Sequence, residues 1–118
     1  MAVEKIINID GKDVKFKASA AIPRIYRLKY GRDIFKDLVS LKDNIDENDE
    51  NLSNLDINSL EIFENIAYIM AKHADKNLDE DIDTWLENFN TFSIYQVLPK
   101  IIELWGMNVK TDIQTKKK

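Results

Sequence analysis

The residues able to do chemistry in this chain are few. There is one histidine, His73, and no cysteine. A Ser-His-Asp triad or a His/Cys zinc site therefore has too few parts to assemble. His73 continues the row of Ile62, Ile66 and Ile69, so the expectation is a packed, half-buried histidine. The loop that follows has a calcium-like spacing. Asp75, Asn77, Asp79 and Asp83 fall at positions 1, 3, 5 and 9 of an EF-hand loop. Glu80 stands where the sharp turn needs glycine, and Leu86 stands where the bidentate glutamate belongs. The loop reads instead as solvated acid near a helix N-terminus, where negative charge is favourable. Carboxylates are abundant, but none forms a pair embedded in apolar sequence, as acid–base catalysis requires. The three glycines are far apart, which excludes a glycine-rich phosphate loop. Arg24, Arg27, Lys29 and Arg32, interleaved with Tyr26 and Tyr30, form a small basic face within residues 24–36. That face offers a nucleic-acid reading, set against a pI of about 5.0. A solvated helix surface is the simpler account. No metal, cofactor or catalytic group is assigned, and the expectation is a protein that is not an enzyme.

The elements that hold these residues are mainly helical. Apolar residues at 60, 63, 67, 70 and 74 mark one face of a helix over 58–74, with Ile62, Ile66 and Ile69 in a second row. Two adjacent rows need neighbours on two sides, so this helix is expected to be the hub. Asn58 reads as its N-cap, with Glu61 completing a capping box and Ile57 stapled to Ile62. Before it, residues 5–17 alternate as a β-hairpin through Ile7, Ile9, Val14 and Phe16, with Asp10-Gly11 as the turn. An isolated hairpin is marginal, so it must pack on helices or pair with another copy, and its edge is a place for strand addition. Helices are expected over 20–30, capped by Ser19 and ended by Gly31, and over 32–42, with apolar positions Ile34, Phe35, Leu38, Val39 and Leu41. In the first, Ile22, Ile25, Tyr26 and Lys29 share a face with Tyr30. A short helix is expected over 84–90, carrying Trp85, Leu86 and Phe89. A last helix is expected over 92–105, with Ser93 and Gln96 capping it, a kink at Pro99 and an end at Gly106. The fold class is thus mainly α with an N-terminal hairpin (α+β), about five helices around the helix 58–74. Residues 1–108 form one domain, 43–56 an acidic loop, and 109–118 a disordered basic tail.

Size and charge bound the rest. The chain has 118 residues, enough for one modest core. The first ten residues carry charge from Glu4 onward and no long apolar run, so we read neither a signal peptide nor a membrane span. The expectation is a soluble intracellular protein. Net charge is −4, divided as +5 over residues 1–42, −12 over 43–91 and +3 over 92–118. This pattern reads as intramolecular complementarity, as contacts between copies in a homo-oligomer, or more simply as a solvated acidic loop.

Four helical stretches carry a resemblance. PRIYRLKYGRDIFKDL (23–38), LEIFENIAYIMAKHAD (60–75), IDTWLENF (82–89) and IYQVLPKIIELWGMN (94–108), with the hairpin NIDGKDVKFKAS (8–19), occur in an order and wording similar to a small tail assembly chaperone of long-tailed phages and prophages of Gram-positive bacteria. The resemblance spans nearly the whole chain. It implies a binding protein that acts in the cytoplasm of the bacterial host and is absent from the finished virion. Such a chaperone keeps the long helical tape measure protein soluble until major tail protein subunits polymerise around that client and displace it. It also implies a longer form made by ribosomal frameshifting, for which Lys116, Lys117 and Lys118 would be compatible with an A-rich slippery codon run. The same lysines read equally as a solubilising tail. The aromatic residues expected to stay partly exposed and to meet the client are Tyr26, Tyr30, Trp85 and Trp105.

Overall fold

The computed structural model describes residues 3–43, 56–78, 81–90 and 92–106. Most of the acidic loop expected over 43–56, the position Asp79, and the tail with Lys116–Lys118 lie outside the described residues.

The chain begins with an antiparallel hairpin, β1 (Val3–Ile9) and β2 (Lys12–Ala18). Its register runs from Val3 opposite Ala18 to Ile9 opposite Lys12. The two turn residues, Asp10 and Gly11, both have positive φ, 56° and 83°. This is the backbone of a type I′ turn, whose twist matches that of the strands. Ile7, Ile9, Val14, Phe16 and Ala18 form the buried face of the hairpin, as the alternation requires.

Helix α1 (Ala21–Tyr30) follows, and Gly31 ends it in the left-handed region with φ 69°. The Gly31 N–H returns to the Arg27 carbonyl at 2.8 Å. Ser19 assists the start of α1 through its hydroxyl, which accepts from the Ala21 N–H at 3.3 Å. Ile22 and Tyr26 are the buried positions of α1, and Tyr30 is half-buried; Ile25 and Lys29 lie outside that stripe. Helix α2 (Ile34–Asp43) starts where the Asp33 side chain accepts the Phe35 N–H at 2.9 Å. It buries Ile34, Asp37, Leu38 and Leu41.

The hub is α3 (Ile57–Ala74). Between Ser59 and Ala74, Glu61 is the one exposed side chain. Both expected rows point inward; Ser59 extends the row of Ile62, Ile66 and Ile69, and Tyr68 and Ala71 are buried on a further side. That enclosure follows from neighbours on several sides: β2, α1, α2, the helical turn at 82–86 and the 3₁₀ turn at 94–97 all touch α3. Its start differs from the expectation. Asp56, not Asn58, is the N-cap, accepting the Ser59 N–H at 2.8 Å. Ile57 is 83 % exposed and makes no staple with Ile62. Moving the cap two residues upstream turns Ile57 into solvent and brings Ser59 inside.

Two further corrections concern the C-terminal part. Helix α4 (Ile82–Leu86) begins two residues before Thr84, because Asp81 caps it by accepting from the Thr84 N–H at 3.1 Å. The expected helix over 92–105 is two pieces, a 3₁₀ turn (Ile94–Val97) and α5 (Leu98–Leu104). Pro99 lies in the first turn of α5, where its missing N–H costs nothing, so a new start replaces the expected kink. Ser93 does not cap this segment. Its hydroxyl donates instead to Asp10 Oδ1 at 2.6 Å. Gly106, with φ 81°, adopts the left-handed form expected of a C-terminal cap.

Phe63, fully buried at the centre of α3, and Ile57 test this description as a pair. Phe63→Ala is expected to lose about 3–5 kcal/mol of stability. Ile57→Ala is expected to stay within about 0.5 kcal/mol. Urea denaturation of both variants measures the contrast, and equal losses would restore the staple.

Candidate functional site

The structure separates the four aromatic residues expected on the binding surface. Tyr26 and Trp85 are buried and are withdrawn from that surface. Tyr26 points inward from α1, and its hydroxyl donates to Asp37 at 2.6 Å. Trp85 packs between Tyr68 (5.5 Å between ring centroids) and Phe89 (5.3 Å). Each ring has a helix layer over it that local sequence does not reveal. Tyr30 and Trp105 are half-buried. Tyr30 leans on Tyr26 at 5.0 Å. Trp105 is held by its indole N–H, which donates to Met70 Sδ at 3.4 Å.

Trp105 also meets a residue not counted among the binding candidates. Phe35 stands edge-on to it at 5.8 Å. Phe35 is 47 % exposed and Val39, one turn on, is 46 % exposed. These two share a face of α2 by their i, i+4 spacing, and Trp105 extends that apolar surface at its Phe35 end. A signal for this was present in the sequence. Ile34, Leu38 and Leu41 already make a complete inner stripe on α2, which leaves Phe35 and Val39 as surplus apolar residues one position further round.

Behind this face lies a polar network. Asp37 is buried on α2 and receives three hydrogen bonds: from Tyr26 and from Arg32 Nε and Nη2, both of the latter at 2.8 Å. Burial alone would raise the Asp37 carboxyl; the Arg32 and Tyr26 hydrogen bonds outweigh it and hold the group below its ordinary value. Tyr26 is pushed the opposite way, first by burial and then by Asp37. The arrangement is structural: it fixes α1 against α2 and so sets the angle at which Phe35 and Val39 are shown. It also changes the basic face of residues 24–36. Arg32 is exposed but engaged by Asp37, and Lys29 lies 5.8 Å from the Tyr30 ring, which leaves Arg24, Arg27 and Lys36 as its exposed basic residues outside those contacts.

His73 is half-buried, as expected, and sits 3.3 Å from the Ser19 hydroxyl. Burial first, then Lys17 and Lys76, hold its pKa below the ordinary value. Cationic neighbours disfavour the imidazolium that a Ser-His nucleophile needs. Among the described residues, no group of three or more His, Cys, Asp or Glu could hold a metal ion. Asp75 turns its carboxylate onto the Asn77 N–H at 3.0 Å. A cleft of about 680 Å³ between β2 and the ends of α3 and α4 is lined by Val14, Leu78, Phe89, Lys12 and Lys15, among others. The carboxylates of Asp13 and Asp75 also line it. No described helix is long and apolar enough to cross a membrane.

No family model, curated protein or solved structure matches this chain.

Asp37→Ala strands the Tyr26 hydroxyl and Arg32 without their acceptor and is expected to lose roughly 3 kcal/mol at neutral pH. The folded-state pKa of Asp37 is depressed, so its contribution is fully present above the unfolded value of about 3.9 and fades as pH falls through the folded value. Urea titrations of wild type and variant should show a constant stability gap from neutral pH down to about pH 5, narrowing below about pH 4.

Proposed function

We propose that this chain is a phage tail assembly chaperone, a binding protein that shields the tape measure protein in the host cytoplasm until tail-tube subunits displace it. The observation that carries the reading is the exposed stripe of Phe35 and Val39 on α2, joined to Trp105. It supplies what the resemblance of the helical stretches requires, a surface for apolar helix faces. A long amphipathic helix aggregates when its stripe is bare. A side-chain ridge at i, i+4 spacing, backed by a half-exposed indole, accepts such a stripe helix on helix. The patch is small, so each contact is weak and reversible, and many copies along one client hold it by avidity. Reversibility suits a protein that must leave as the tube grows.

Co-expression with a phage tape measure protein is the test. The client should stay soluble and co-purify with the wild-type chain. The double variant Phe35→Asp/Val39→Asp, with unchanged circular dichroism, should lose most of the co-purified client. A client that aggregates with or without the chain overturns the function. Equal capture by wild type and double variant keeps the function and overturns the surface.

A further inference from the structure

The first half of β1 has no cover. Val3, Glu4, Lys5 and Ile6 are all exposed, Ile6 to 58 %, whereas β2 lies along α3. The tight turn decides where the backbone of β1 points. In a two-residue hairpin the residues flanking the turn, here Ile9 and Lys12, form a hydrogen-bonded pair. The odd-numbered residues of β1 therefore bond to β2. Glu4, Ile6 and Asn8 direct their N–H and C=O groups to the open side. Edge strands in monomers are commonly blunted by proline, a bulge or an inward charge. β1 has no proline, its register is unbroken over all seven residues, and Lys5 is its one inward-side charge.

We propose that β1 pairs antiparallel with β1 of a second copy of this chain, about a two-fold axis at Ile6, to form a four-stranded sheet. Ile6 then faces Ile6 of the second copy, Glu4 faces Asn8, Lys5 faces Ile7 and Val3 faces Ile9. Every residue of the strand is paired, and the pairs that exchange hydrogen bonds are those whose groups point outward, Glu4, Ile6 and Asn8. Charge selects this register. A slip of two residues in one direction sets Lys5 against Lys5, and a slip of two in the other sets Glu4 against Asp10; like charges directly opposite are unfavourable. In the centred register no like charges meet. Glu4 keeps its own Lys17 at 4.0 Å, and Asn8 keeps its hydrogen bond to Asp13 at 2.9 Å. The two Ile6 side chains cover each other between the aliphatic stems of Lys15 from each copy, since Lys15 is the cross-strand partner of Ile6. The contact is isologous and closes at two copies, so it does not propagate into fibres. It lies on a different element from Phe35 and Val39 and stands independently of the client.

Light scattering across a dilution series, with the full chain, reads the assembly. Wild type should rise from one to two chain masses with concentration. Ile6→Pro removes an outward N–H that the β1–β2 ladder does not use, so it should remain at one chain mass with unchanged circular dichroism. Ile6→Cys introduces the sole cysteine of the chain at a pair about 5.5 Å apart between Cα atoms, within disulfide reach. Under mild oxidation at dimer-forming concentration it should give a covalent dimer. A wild type that holds one chain mass at every concentration overturns the proposal, as does an Ile6→Pro chain that is folded and dimerises like wild type. If Ile6→Pro fails to fold, the cysteine variant decides: a crosslinked dimer supports the pairing and an uncrosslinked chain refutes it.

Discussion

Everything in this domain leans on the enclosure of α3. A helix buried on so much of its circumference cannot be stable alone, because its apolar rows would face water without neighbours. Each surrounding element is in turn too short to stand by itself: a two-stranded hairpin, helices of ten residues or fewer and a 3₁₀ turn. The hub and its cover are therefore mutually dependent. That explains why fully buried residues come from so many elements, Phe16 from the hairpin, Ile22 and Tyr26 from α1, Leu38 from α2, and Leu98 and Ile101 from α5.

The surface proposed to meet the client inherits its geometry from this core. Trp105 is tied to Met70 of α3, and Phe35 packs on Trp105. Asp37 binds Tyr26 and Arg32 from the other side of α2. The apolar stripe is thus shown on a helix held from behind by one charged network and at one end by an anchored indole. Such support lowers the ordering cost of binding, and a small patch then suffices for a weak, repeatable contact. Tyr95, whose hydroxyl donates to Glu64 at 2.6 Å, braces the 3₁₀ turn against α3 in a comparable way; burial, then Glu64, push that hydroxyl up to about 12.

The parts of this structure set by nearest neighbours were readable from the residues. Alternation plus Asp10-Gly11 located the hairpin, and the rows of isoleucine and alanine located α3. Where two local solutions compete, reading failed. Asp56 and Asn58 are both good caps, and the choice rests on whether Ser59 or Ile57 goes inside, which tertiary packing decides. Pro99 is tolerated in any first turn, so whether it kinks one helix or opens a second depends on the 3₁₀ turn before it. The binding candidates suffered most. An aromatic ring with a polar handle satisfies either surface or core, and Tyr26 found an acceptor inside. Phe35 and Val39, with no handle, were left outside because Ile34, Leu38 and Leu41 had already filled the inner stripe.

The hairpin turn carries one further consequence. Asp10 accepts hydrogen bonds from the backbone and side-chain N–H groups of Asn90 and from the Ser93 hydroxyl, partners 80 and 83 residues away along the chain. The hairpin turn is therefore secured by a segment that follows the hub helix and α4 in chain order. Ile7, Ile9 and Phe16 are made before the helices that cover them, and α5, which packs on both strands, follows the other described helices in chain order. Long sequence separation between contacting residues slows closure and leaves apolar surface bare in the meantime. The hairpin face thus stays without its full cover until α5 has followed α3 out of the ribosome, and the domain closes as a whole only then.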